Sequence, residues 1–188
     1  MMRVMVNRDA LVHQAELSTK RLLLKQNGPS YFDEGWAALD DEDGRRTTGT
    51  HRVFTVAEVR DFLARLPGAD DRADWAVIRS EDGLYLGEVV LNLLDEDNES
   101  MNFRIALTAD ARGQGYGSEA TRAVVEYGLG AVGLHRISLD VHVDNPAGIR
   151  AYEKAGFVRE GVLRDAVLWD GQRVDEIIMS VLATDPLP

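Results

Sequence analysis

The chain has 188 residues, 45% of them hydrophobic, enough for one globular domain with a sizeable core and too apolar for a disordered one. It contains no cysteine, which excludes disulfides, thiolate metal sites and a cysteine nucleophile. A formal net charge of -11 argues against a nucleic-acid partner, because neutralising phosphate needs a basic surface, and suits a cationic one. No apolar run could span a bilayer and the first residues lack a secretory pattern, so no membrane partner is expected and the cytoplasm is the expected compartment.

Residues 1–18 show no periodicity and read as a loosely held arm, followed by one domain over 19–183 and a tail over 184–188. A first strand is predicted over 19–25 and a turn at Asn27-Gly28-Pro29-Ser30. A short helix over 31–39 would put Phe32, Trp36 and Leu39 on one side. Residues 40–44 read as an acidic loop, and 45–52 as a polar loop. Thr55-Val56-Ala57-Glu58 is a capping box. The helix it opens carries Val59, Phe62, Leu63 and Leu66 at helical spacing and stops at Pro67-Gly68. Strands follow over 75–79 and 84–93, the second interrupted by Gly87-Glu88, and residues 95–100 are an acidic connection.

Met101, Phe103, Ile105 and Leu107 alternate with polar or small residues, the pattern of a strand with one apolar face. A helix is predicted from Tyr116 to about Gly128, with Tyr116, Ala120, Ala123, Val124 and Tyr127 in one stripe. Ile137, Leu139, Val141 and Val143 mark another strand, which leaves His142 on its polar side as a structural or exposed residue. Asn145-Pro146 suits the cap and first position of a helix that stops at Gly156. Two strand-rich stretches, 157–169 and 172–182, flank Asp170-Gly171, a hairpin turn.

Between the strand ending at Leu107 and the helix starting at Tyr116 lies Arg112-Gly113-Gln114-Gly115-Tyr116-Gly117-Ser118. A glycine-rich turn opening a helix presents backbone N–H groups and a positive dipole end to phosphate oxygens. The spacing excludes a P-loop, which needs Gly-Lys-Ser/Thr, and a Rossmann fingerprint, whose third glycine comes later. Arg-x-x-Gly-x-Gly resembles the pyrophosphate loop of the GCN5-related N-acetyltransferases, and Asn145-Pro146-Ala147-Gly148 through Tyr152-Glu153-Lys154-Ala155-Gly156-Phe157 is similar to a second stretch of that family. Leu22-Leu23-Leu24, Leu86-Gly87-Glu88, Phe103-Arg104-Ile105-Ala106-Leu107, Leu134-His135-Arg136 and Glu160-Gly161-Val162-Leu163-Arg164 look like its RimJ/RimL-like branch, which includes enzymes acetylating ribosomal-protein N-termini. Residues 27–52, where the family builds amine specificity, match no motif, so the acceptor does not follow from the resemblance.

The resemblance implies a mixed α/β fold, a mostly antiparallel central sheet flanked by helices, with a splayed strand pair holding acetyl-CoA as cosubstrate. It implies an enzyme that moves the acetyl group directly to a primary amine, a protein N-terminus or a small molecule, and a possible homodimer. The pantetheine would bond backbone near Ile105 and Leu107, and the pyrophosphate would sit on Gly113, Gln114, Gly115, Tyr116, Gly117 and Ser118. Arg112 is either a phosphate ligand or a surface arginine, and Asn145 either a bare helix cap or also a pantetheine ligand. Tyr152 matches the family's proton donor to the departing thiolate.

The base is open. An α-amine of pKa about 7.8 is neutral roughly one time in seven at pH 7, a lysine amine roughly once in 2500, so an N-terminal acceptor needs little help. Glu88, within an apolar strand, is either a base with a burial-raised pKa or a salt-bridged carboxylate; Glu99 and Glu160 are weaker candidates. No two of His13, His51, His135 and His142 have metal-ligand spacing, so no metal site is expected. The rival readings are a polyamine or aminoglycoside acetyltransferase, which the acidic stretches 40–43 and 95–99 would suit, and a non-catalytic acyl-CoA-binding module.

Overall fold

The computed structural model describes residues 6–188. Its centre is an eight-stranded sheet in the order β1-β2-β3-β4-β5-β6-β8-β7. The strands are β1 (Leu17–Ser18), β2 (Leu22–Gln26), β3 (Ala73–Arg79), β4 (Tyr85–Asp95), β5 (Ser100–Leu107), β6 (Arg136–His142), β7 (Val158–Trp169) and β8 (Gln172–Leu182). Every neighbouring pair is antiparallel except β5 and β6. That parallel step requires a crossover, supplied by α5 (Tyr116–Gly130).

Alternation decides the faces. Trp75, Val89, Leu91, Met101, Phe103, Ile137, Leu139 and Met179 point to one side and are buried there under α5. Ala120 is fully buried and Gly128 faces the sheet so closely that a Cβ would come 2.8 Å from Ile137 Cδ1. Ala123, placed in the stripe from the sequence, is only half-buried, while Thr121 and Val125 join the buried set. The other face carries α2 (Phe32–Ala38), α3 (Glu42–Thr47) and α4 (Val56–Arg65). The capping box of α4 forms: Glu58 N–H donates to Thr55 Oγ1 at 3.3 Å and Thr55 N–H to Glu58 Oε2 at 2.8 Å. The hairpin turn at Asp170-Gly171 has φ 46° and 75°, as a two-residue turn between twisted strands needs.

Two expectations are corrected. Residues 6–18 are not a loose arm: α1 (Arg8–Val12) buries Leu11 completely, and β1 pairs with β2. The Tyr127 hydroxyl donates to Ala10 O at 2.6 Å and Trp75 Nε1 to Ala15 O at 3.0 Å. A five-residue helix and a two-residue strand are too short to show periodicity, so tertiary contacts define them. Residues 42–47, read as loop, are helical as α3, with Glu42 and Asp43 in the first turn and Arg45 and Arg46 in the last, the signs the helix dipole favours. Of the two readings of His142, structural or exposed, the fold takes the first: the residue is 2% exposed, its Nε2 lying 3.7 Å from Glu176 Oε1 and its Nδ1 without a hydrogen bond among the described residues. Among the described residues no helix is long and apolar enough to cross a membrane.

Candidate active site

The loop between β5 and α5 takes one short 3-10 turn, Ala109–Ala111, then turns through Gly113 and Gly115 at φ 74° and 83°. Those left-handed values suit glycine and aim the start of α5 into open space. Gly115 is the helix cap, and among the described residues no side chain caps α5. By helix geometry the first N–H groups, those of Tyr116, Gly117 and Ser118, have no intrahelical acceptor, which leaves them free for an anion.

The loop is held from outside by a residue sequence reading missed. Arg21 donates from Nη1 to Gln114 O at 3.0 Å, stacks its guanidinium 4.5 Å from the Tyr116 ring, and bonds Glu119 Oε2 from Nε at 2.7 Å. Glu119 also accepts from Thr19 Oγ1 at 2.6 Å and Arg21 N–H at 2.8 Å. Partial burial pushes the Glu119 carboxyl up, but the hydrogen bonds from Thr19 and Arg21 outweigh it and hold the pKa below the usual range. Gln114 donates from its side chain to Asp110 O. Arg112 bonds Leu107 O at 3.1 Å and ion-pairs with Asp41, so it ties the glycine loop to the connection between α2 and α3. An open groove of about 780 Å³ runs from Gly115 and Ser118 past Lys20, Arg122 and Lys154.

Beside the loop the sheet opens. β5 and β6 pair only at Ser100–Arg136, Met101–Ile137 and Asn102–Ser138. Phe103 through Leu107 continue on β4 alone, which leaves a wedge along the half-buried Ile105 and Leu107. The helix α6 (Pro146–Lys154) stands at this wedge. Its cap is Asn145, whose Oδ1 accepts from Gly148 N–H at 2.9 Å. Tyr152 packs edge-on against Phe103, the first β5 residue beyond the last β5–β6 pair, with centroids 6.0 Å apart, and also 6.0 Å from Phe157. Burial pushes its phenol up to about 12, with the Arg104 charge pulling the other way. Tyr152 as a residue is half-buried.

On the opposite face of β4 and β5 lies a cavity of about 620 Å³, lined by residues of α2, α3, α4 and the two strands. Glu88 sits on its floor, paired with Ala106 on one side and Ala76 on the other, whose small side chains leave it room. Burial pushes its carboxyl up and the nearby Asp74 charge adds to this; Arg104, Arg72 and the hydrogen bond from Asn27 Nδ2 at 3.2 Å oppose it, and burial wins. Glu88 is in no ion pair among the described residues, unlike Asp74, which Arg72 grips through two bonds of 2.7 Å. The bulge beside it depends on Gly87 at φ 141°, where a Cβ would overlap Ala106 O and come 2.8 Å from Leu107 Cα.

The other carboxylates are elsewhere. Glu160 is engaged by Arg136 and by Ser180 Oγ at 2.7 Å, which hold its pKa at about 2, so it is no base. Glu99 is in the β4–β5 turn, outside the cavity. Of the acidic stretches, only Asp41 lines the cavity, and Arg112 neutralises it. No group of three or more His, Cys, Asp or Glu among the described residues could hold a metal.

Residues 21–158 match the family described as "Acetyltransferase (GNAT) domain". The uncharacterized N-acetyltransferase YoaA of Bacillus subtilis (strain 168) is 25% identical over 169 residues, 88% of this chain and 96% of that protein. The spermidine N(1)-acetyltransferase of Vibrio cholerae is 30% identical over 97 residues, 52% of this chain and 56% of its own. Among solved structures, the spermidine N-acetyltransferase of Vibrio cholerae in complex with CoA and spermine superposes with TM-score 0.83 at 20% identity, covering 89% of this chain and 98% of that one. A GNAT-family acetyltransferase of Bacillus anthracis superposes with TM-score 0.79 at 23% identity, covering 91% and 100%.

Proposed function

Because this chain belongs to the GNAT acetyltransferases, enzymes that transfer the acetyl group of acetyl-CoA to an amine, we propose that it acetylates an α-amine, the terminal amine of a peptide or protein or that of a small molecule, by direct transfer across the β5–β6 wedge. The observation that carries the reading is the relation of three parts: a phosphate-suited helix start, a wedge along β5, and Glu88 on the far side of the same strands. The motifs similar to the RimJ/RimL-like branch support the α-amine, as does the chemistry of a peptide terminus: with pKa about 7.8 it needs only a modest base.

In this reading the amides of residues 113–118 hold the pyrophosphate, with Arg112 swinging from Asp41 as an additional ligand. In the adjoining groove Lys20, Arg122 and Lys154 would meet the rest of the nucleotide's negative charge, beside Glu119, Glu126 and Glu153 of the same lining. The free β5 edge at Ile105 and Leu107, and the Asn145 side chain, bond the pantetheine. A β5 N–H polarises the thioester oxygen. Glu88, directly or through water, takes the amine proton as the nitrogen bonds the acetyl carbon and the carbon–sulfur bond breaks. Tyr152 gives its proton to the departing sulfur. A phenol at about 12 exceeds a thiol of about 8.5 in water, but the apolar surroundings that raise Tyr152 also raise a thiolate.

The test is CoA release and product mass with blocked and free peptides, lysine peptides, free amino acids and spermidine, each with Tyr152→Phe and Glu88→Gln. Turnover confined to α-amines, and lost in both variants, is the expected result; turnover confined to lysine or spermidine would overturn the acceptor, and full activity of either variant would remove that residue from the chemistry. The spermidine acetyltransferases among the relatives favour a polyamine acceptor as the second reading. Against it stands the cavity, whose five carboxylates are outnumbered by six arginines.

A further inference from the structure

The acceptor cavity is built against the charge of the molecule. The chain carries a net -11, yet the cavity is lined by six arginines and five carboxylates. Three of these arginines are matched: Arg112 with Asp41, Arg52 with Glu58, and Arg72 with Asp74. That leaves Arg45, Arg65 and Arg104 facing Asp61 and Glu88, and none of those three arginines is in an ion pair among the described residues.

Arg104 is the one at the reaction centre. It follows Phe103, the first β5 residue beyond the β5–β6 ladder, and points to the cavity side of the strand, as Glu88 does from β4. Its charge reaches both proposed proton carriers, pulling down the pKa of Glu88 from one side and of Tyr152 from the other. Its side chain is exposed to the cavity, and only Nη2 is committed, donating to Thr48 O at 3.0 Å. A guanidinium has five N–H donors in a fixed fork, so an edge suited to a carboxylate stays free. Arg45 stands in the same lining and spends Nε and Nη2 on Thr50 O and His51 O.

We propose that Arg104 reads a carboxylate on the acceptor, so that the preferred substrate is an amine with a carboxylate a few bonds away: a free α-amino acid, or a peptide whose first residue is Asp or Glu. The carboxylate on Arg104 sets the neighbouring amine beside Glu88, where a polycation would instead meet an unpaired guanidinium. This rests on the assignment of this cavity to the acceptor.

The experiment uses the whole chain with acetyl-CoA and acceptors in matched pairs: alanine against alaninamide, and C-terminally amidated peptides beginning with Asp against the same peptides beginning with Asn. β-Alanine and spermidine complete the panel. Rates are compared per neutral amine, because the members differ in amine pKa. Calorimetric binding of each acceptor to the CoA-loaded protein is read in parallel, so slow turnover does not hide the preference. The carboxylate member is expected to win by about 10- to 100-fold, mostly in KM, the scale of one charge-assisted bond. In Arg104→Gln the ratio within each pair should fall toward one, and Arg104→Lys should restore part of it. A ratio within one variant does not depend on how much of it folds. Equal use of acid and amide by the unaltered protein, or an unchanged ratio in Arg104→Gln, overturns the inference while leaving an α-amine acceptor standing. β-Alanine preferred over alanine overturns the α-amine and keeps the carboxylate. Spermidine preferred over all of them overturns both.

Discussion

Glu119→Gln tests whether the glycine loop is held in shape by a side chain at its back. Four donors converge on the Glu119 oxygens: the Thr19 hydroxyl at 2.6 Å, Arg21 N–H at 2.8 Å, and Arg21 Nε and Nη2, each at 2.7 Å. A glutamine has one acceptor oxygen, so its NH2 must face the Arg21 guanidinium, donor against donor. Arg21 is 41% exposed, so the guanidinium contact counts on the surface scale, about 0.5–1 kcal/mol. The other two bonds lose their charged acceptor, roughly 0.5–1 kcal/mol each. The sum is about 2 kcal/mol, which for a chain of this size lowers Tm by about 4–8 °C. Because the folded pKa of Glu119 is depressed, its contribution is fully present above the unfolded value of about 4.3 and is lost as pH falls through the folded one. The gap between the proteins should therefore be full at pH 7, begin to narrow near the unfolded value of about 4.3, and close once pH is below the depressed folded pKa. Thermal unfolding at both pH values checks this, with acetyl-CoA titrations at pH 7 expected to show weaker binding as the Gln114 carbonyl loses its fixed partner. A Tm within about 1 °C of the parent at pH 7, or a gap that persists in acid, refutes the reasoning.

Glu88→Gln is expected to lose activity by about 10²-fold or more while gaining stability at neutral pH. Its folded pKa is raised, so the folded protein binds more protons than the unfolded one above pH about 4.3 and stability falls as pH rises; removing the group removes that cost. A lower Tm at pH 7 would contradict it. Tyr152→Phe should reduce kcat about 10²-fold or more with little change in acetyl-CoA affinity. In the parent, kcat should show no alkaline loss from this phenol below about pH 11, since burial holds it near 12, and an earlier limb that vanishes in the variant would count against the assignment. Gly87→Ala puts a Cβ onto Ala106 O at a φ of 141° and should destabilise by about 3 kcal/mol or prevent folding, seen in urea unfolding; a shift under about 1 kcal/mol would mean the bulge is soft.

Much of this was legible where physics is local. The alternation Met101, Phe103 marked the buried face of β5, Thr55 and Glu58 closed their box, Asp170-Gly171 made its turn, and the glycines before Tyr116 left the start of α5 uncapped. What escaped was made by residues far apart. Arg21 and Glu119 meet across 98 positions, and Arg104 joins Glu88 only because β4 and β5 pair as Glu88–Ala106 and Val90–Arg104. α3 has no apolar stripe to announce it, its residues being polar or Gly, and it is fixed by Arg104 on Thr48 O and Arg46 on Asp144. His142 obeyed the alternation and was still buried, beside its cross-strand partner Glu176 on β8.

The short β5–β6 ladder also bears on how the chain comes to be folded. All the strands on one side of it come from residues 17–107 and all on the other from 136–182, so each leaf of the sheet is an uninterrupted length of sequence. During synthesis the first leaf can pair its strands before any of the second has left the ribosome. Until β6 arrives, β5 is an open edge, the kind of edge that recruits a neighbouring chain. Only three of its residues ever need a backbone partner there. The same truncated ladder that opens the wedge along β5 thus leaves a nascent chain waiting on few long-range pairings.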